Sequence, residues 1–150
     1  MSSRDDAIVS LPFRLDVEDD WPPVAVESLQ LRHLHAGYEV QSAPLFLKDL
    51  SVGDVIDVTL GDKGLVESWS HKSRSTRTTI WILRLKSPNG IDAALAKLRL
   101  LGCHTVRLES VGCYAVDVAG SIPISSVDKI LESLDSNSVA IAFPSMRHPD

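Results

Sequence analysis

The side chains able to do chemistry in this 150-residue chain fall into a few clusters. The densest is Asp16, Glu18, Asp19 and Asp20 beside Trp21. Paired carboxylates serve acid/base catalysis when an apolar cleft drives their pKa values apart. Four acids in a turn closed by Pro22 and Pro23 read as solvated carboxylates instead. They also suit the docking of a basic protein surface, since Trp is favoured at binding hot spots. The functional reading of these five residues is therefore contact with a partner, set against a plain acidic turn.

A second cluster, Arg74-Ser75-Thr76-Arg77, offers two guanidiniums and two hydroxyls, the groups that grip phosphate or carboxylate. It lacks the glycines and lysine of a phosphate-cradling loop. It reads as an anion- or ligand-contacting loop or, more simply, a solvated linker. His33 and His35 would point the same way on a strand. A structural zinc needs two further ligands, and no cysteine lies nearby, so no metal and no cofactor are expected. Cys103 follows the helix-ending Gly102 and should be buried, which suits a poor nucleophile. With Cys113 it reads as reduced cytosolic thiols, a disulfide across neighbouring strands being the alternative. Ser121, Ser125 and Ser126 lack a nucleophile-elbow context and suit helix capping. No catalytic set emerges.

The elements that must carry these groups divide into two halves. Residues 1–70 read as short strands with turns every eight to twelve residues, the pattern of a small, strongly bent sheet or open barrel. Strands are expected from Ile8, interrupted at Pro12, then over Val26–His35, Tyr38–Ser42, Val55–Val58 and Leu65–Trp69. Residues 71–78 read as a hinge or loop, flanked by Trp69 and Trp81, which pack between the halves or line a groove there. Residues 79–150 are more regular. Thr79–Lys86 is a β-branched strand, and Ile91, Ala94, Leu95, Leu98 and Leu101 mark one helical face that Gly102 ends. Strands at His104–Glu109 and Cys113–Val118 follow. Ile124, Val127, Ile130, Leu131 and Leu134 mark a second helix after Pro123, and Val139–Phe143 closes the sheet. The order predicts an α+β protein whose second half is a ferredoxin-like β-α-β-β-α-β unit, with one integrated domain as the alternative to two separate halves.

The net charge of −5 hides an asymmetry. Residues 1–70 carry thirteen acids and five bases, a balance of −8; residues 71–150 carry seven acids and ten bases, a balance of +3. An acidic first half argues against nucleic acid, whose phosphates demand cations, and suits a cationic surface. Asp5, Asp6 and the acids that follow leave no apolar run for a signal peptide, and Val139–Phe143 is far too short to cross a bilayer. A cytoplasmic location and no membrane partner are the expectation.

Several stretches together resemble a bacterial family known only as a domain of unknown function. They are Asp16 with Asp19-Asp20-Trp21-Pro22-Pro23-Val24, Glu27-Ser28-Leu29, Gly37-Tyr38, Pro44-Leu45-Phe46 and Leu50-Ser51-Val52-Gly53-Asp54-Val55. Ser73-Arg74-Ser75-Thr76-Arg77 and Tyr114-Ala115-Val116-Asp117-Val118 complete the set, spanning roughly Leu11 to Phe143. The resemblance implies a small cytosolic protein with a barrel-like first part. It transfers no catalytic residue, because the family carries no established chemistry. Small bacterial families of this kind often include immunity proteins.

The functional expectation is a non-enzymatic binding protein. In that role it would be an immunity protein that neutralises a cognate toxin by covering its cationic active site with the acidic surface. The alternative is a sensing module in which Arg74 and Arg77 hold an anionic metabolite or nucleotide between the halves.

Overall fold

In the first half, alternation of apolar and polar residues sets which side chains turn inward. The computed structural model describes residues 7–149; Asp5 and Asp6, counted above among the N-terminal acids, lie outside them. Strands β1 (Ile8–Arg14), β2 (Val26–Leu34), β3 (Gly37–Val40), β4 (Val55–Leu60) and β5 (Val66–Ser73) pair in that order and close into a barrel. Closure comes from a single parallel bridge between Phe13 and Val66. The expected small bent sheet or open barrel is thus a closed barrel.

Pro12 does not interrupt β1. The Ala7 carbonyl accepts the His33 N–H, and the Leu15 N–H donates to the Ala25 carbonyl. In an antiparallel pair such bonds fall on alternate residues, so the odd positions face β2 and Pro12 faces away from it. Its missing N–H therefore costs no bond in the β1–β2 ladder. The inward side chains Phe13, Leu29, Leu31, Val40, Ile56 and Val66 are almost wholly buried and form the barrel core. Gly37 has φ of +116°, and a Cβ there would stand 2.8 Å from the Ile56 carbonyl oxygen. Only glycine fits that strand entry.

In the second half, β6 (Thr78–Arg84), β7 (His104–Leu108), β8 (Cys113–Val118) and β9 (Val139–Ser145) form an antiparallel sheet in the order β7-β8-β6-β9. Helices α1 (Ile91–Leu100) and α2 (Ile124–Leu131) share one core with Ile80, Ile82, Tyr114, Val116, Val118 and Val139 of the sheet. Fully burying an aliphatic side chain of this kind contributes about 1.5–3 kcal/mol. α1 starts after Gly90 at φ of +73°, and Asn89 Oδ1, one residue earlier, accepts the Ile91 N–H at 3.0 Å. The helix ends where Gly102 donates to the Arg99 carbonyl and Cys103 to that of Leu98, with Gly102 at φ of +103°. Among the described residues, the protein is a mixed α/β structure of two sheets and two α-helices. Among the described residues, no helix is long and apolar enough to cross a membrane.

The two halves meet along a dense polar seam. Residues 42–50, between β3 and β4, form no strand but run between the sheets. There the Pro44 carbonyl accepts the Trp81 indole N–H at 2.8 Å, and Asp49 N–H donates to the Pro144 carbonyl at 2.9 Å. Ser51 Oγ meets Thr79 Oγ1 at 3.1 Å and donates to Ser145 Oγ at 2.7 Å. Asp54, wholly buried, is the hub. Its carboxylate takes both guanidinium nitrogens of Arg147 at 2.8 Å, the Ser75 N–H at 2.7 Å, the Ser51 N–H at 3.0 Å and His71 Nε2 at 2.9 Å. β5 runs on to Ser73, so the linker is shorter than 71–78, and it is fastened rather than loose.

Candidate binding groove

Glu18 and Trp21 pair through two backbone hydrogen bonds, 2.9 and 3.0 Å. Between them Asp19 and Asp20 have φ of +53° and +62°. Two left-handed central residues make a type I′ turn, and Asp tolerates that region better than most side chains. The turn sets the Trp21 ring beside the carboxylates, in edge-on contact with Phe46 at 6.1 Å.

These groups border a groove of about 670 Å³ where the barrel meets the second sheet. Trp21 contributes one wall, Trp69 of β5 another and Trp81 of β6 a third, with Phe46 beside them. The chain has three tryptophans, and all three line this one space. Four carboxylates, Asp16, Glu18, Asp19 and Glu67, face two cations, Arg14 and Lys48. Arg14 is paired with Glu67 at 2.8 Å. Among the described residues, Asp16, Glu18 and Asp19 have no cation within ion-pair reach. The volume suits a ligand or a protruding side chain, and indole faces next to carboxylates attract cations.

The wall carrying Phe46 is held by a residue that sequence reasoning passed over. Glu27 points into the barrel side of β2, buried, and its carboxylate accepts the N–H groups of Leu45 at 2.6 Å and Phe46 at 3.0 Å. Burial raises its pKa, only partly countered by the amides of Leu45, Phe46 and Leu47. The signal was present: Glu27, Leu29 and Leu31 occupy alternate positions, so Glu27 shares their inward face.

The groove therefore brings together Asp16, Glu18, Asp19 and Trp21 of the acidic cluster. Asp20, at the tip of the turn, is exposed and does not line it. The second cluster lies at the seam. Arg74 meets Asp49 at 2.6 Å, and Arg77 grips Asp117 with two bonds of 2.9 and 2.7 Å. Ser75 Oγ donates to the Val52 carbonyl at 2.6 Å, and Thr76 sits against Gly120, where a Cβ would come within 2.6 Å of its hydroxyl. The anions these guanidiniums meet here are the protein's own.

His33 stacks on Tyr38 at 4.8 Å, while His35 lies past the end of β2 in the turn. No group of three metal-ligating side chains occurs among the described residues. Cys103 and Cys113 are free and buried. The hairpin register pairs Cys113 with Leu108, whereas Cys103 adjoins the His104–Asp117 pair, so the two thiols stand at opposite ends of β7–β8. Burial, reinforced by Asp117, pushes the Cys103 thiol up to about 11.

Comparison with known proteins gives the chain its relatives. The family described as a domain of unknown function (DUF4265) matches residues 27–141. The chain belongs to that family. The match begins at Glu27, so the Asp16–Trp21 turn lies outside it. A solved structure described as a novel crystal structure of a hypothetical protein from Neisseria gonorrhoeae has a TM-score of 0.63 to this chain. It covers 94% of this chain and 95% of its own at 16% identity, and so shows a shared fold. No curated protein matches.

Proposed function

We propose that this DUF4265 protein is a non-enzymatic binding protein whose acidic, indole-lined groove receives a cationic protein surface. In its biological setting that partner is a toxin, and the chain acts as its immunity protein by covering the cationic active site. One observation carries the reading: all three tryptophans converge with four carboxylates on a single groove. Trp rings and carboxylates together suit arginine or lysine, through cation–π attraction and charge. Arg74 and Arg77, which an anion sensor would use, are engaged by Asp49 and Asp117, which favours the groove over the linker as the binding surface. We further read residues 79–150 as a ferredoxin-like unit. The order β7-β8-β6-β9 and the shared core of α1 and α2 support that reading.

The test pairs the protein with the product of the gene beside its own. A salt-sensitive complex is expected, and Trp21→Ala weakens it roughly 30-fold, the effect of losing an anchor worth about 2 kcal/mol. The combined variant Asp16→Asn, Glu18→Gln, Asp19→Asn removes the salt dependence. Survival of host cells that make the toxin but lack this protein would overturn the immunity role.

A further inference from the structure

The groove continues beyond its acidic chamber. A second cavity, about 300 Å³, shares Trp21 and Trp81 with the first. Its floor is the face of the second sheet turned away from the helices, where Leu83, Cys113 and Ala142 meet Leu45 of the crossing segment. Trp81 pairs across the strands with Ala142, and Leu83 with Cys113, which places these side chains on one face. No charged residue lines this chamber. Two spaces of opposite character therefore share two indoles.

Resting on the proposed function, we propose that the groove reads a two-part signature in an extended segment of the partner protein. An arginine or lysine enters the acidic chamber, and a bulky apolar residue next to it enters the sheet-face chamber. The charge of the first chamber selects the cation. Asp16, Glu18 and Asp19 stand without a cationic partner among the described residues, and each indole face adds attraction for a cation within about 6 Å. The second chamber contributes by removing apolar area from water and rejects charged side chains, because a charge there would lose its hydration without a partner. Trp21 and Trp81 touch both halves of the signature, so neither half alone uses the whole site.

Four acetylated tetrapeptide amides provide the test: Gly-Arg-Leu-Gly, Gly-Arg-Gly-Gly, Gly-Gly-Leu-Gly and Gly-Glu-Leu-Gly, each titrated by tryptophan fluorescence. The emission reports on the site directly, since every tryptophan lines it. The Arg-Leu peptide should bind at least tenfold more tightly than any of the others. The combined variant Asp16→Asn, Glu18→Gln, Asp19→Asn should lose the preference for arginine and keep that for leucine. Ala142→Glu, at an exposed position on β9, should do the reverse. Circular dichroism confirms that each variant folds. Affinities within twofold across the four peptides, or preferences unchanged in both variants, would overturn the two-chamber proposal. A toxin complex indifferent to Ala142→Glu would overturn it while leaving the immunity role standing. A peptide preference as stated, with no toxin complex, would support the signature and remove the immunity role.

Discussion

Asp54→Asn tests whether the polar seam holds the groove in shape. Burial alone would raise the pKa of Asp54. Arg147, the amides of Ser75 and Ser51, and His71 outweigh it and bring the carboxyl from 3.8 down to about 2. A carboxyl that titrates lower when folded adds stability above its unfolded pKa and loses it as pH falls through the folded value. Here that contribution is about 2.5 kcal/mol at neutral pH, of which about 1 is gone by pH 3 and about 2 by pH 2. Removing one partner of a buried ion pair costs about 3–5 kcal/mol. The carboxamide of the variant keeps an acceptor for the Ser75 N–H, and Arg147 keeps the Ser75 carbonyl at 2.9 Å, so the lower end, about 3 kcal/mol, is expected. A domain with a net stability of about 5–15 kcal/mol survives this loss. Urea midpoints of the wild type and the variant, read by fluorescence at pH 7, 3 and 2, measure the gap. Asp49 and Asp135 also titrate low, and both are present in each protein, so the difference isolates Asp54. A gap below about 1 kcal/mol at pH 7 would refute a hub role. So would a gap that stays constant between pH 7 and pH 2.

Other outcomes follow from the same geometry. Glu27→Gln leaves one of two amides without its carboxylate oxygen and should cost about 1–3 kcal/mol in urea unfolding. Because burial raises the Glu27 pKa, ionised Glu27 works against stability as pH rises, so the deficit of Glu27→Gln should shrink between acid and neutral pH. Deleting residues 146–150 removes Arg147 and the buried His148, whose Nε2 donates to the carbonyls of Ala119 and Ile122. The truncated chain should lose its cooperative melting transition in calorimetry. Gly37→Ala forces a Cβ against the Ile56 carbonyl at positive φ and should destabilise by at least about 1–2 kcal/mol in the same urea assay. Cys103 is buried in the second core and its thiol is pushed up to about 11, so a thiol reagent at pH 8 should leave it unmodified until urea is added.

The second half was legible in the sequence because its signals are local. Ile91 to Leu98 and Ile124 to Leu131 repeat at helical spacing, and Gly102 ends α1 as its type suggests. In the barrel, alternation was readable, but Pro12 misled: the pattern shows that a donor is missing and not which neighbour would have used it. Closure through the lone Phe13–Val66 bridge joins residues far apart in the chain, and no periodicity encodes it. Asp16, Glu18, Asp19 and Trp21 stood out as adjacent residues of unusual type. Phe46, Glu67, Trp69 and Trp81 join them only through the tertiary fold. Nothing in the local sequence marks Arg147, yet its guanidinium is nearly buried against Asp54.

The seam and the groove are one device. Trp69 belongs to the barrel and Trp81 to the second sheet, so the width of the groove depends on how the halves are held. Asp54 and Arg147 fix that relation from one side, the Pro44–Trp81 contact fixes it from the groove itself, and Glu27 holds Phe46 in place within the first half. A charge pair placed where both halves are buried discriminates strongly against displaced arrangements, since any shift leaves an ion without its partner. The groove is then preorganised, and a partner segment meets aromatic walls already in position instead of ordering them on arrival. On this account Asp54→Asn should weaken capture of the Arg-Leu peptide although Asp54 does not line the groove. Its effect should vanish when Trp81 is already replaced by alanine, because both changes act on the same wall.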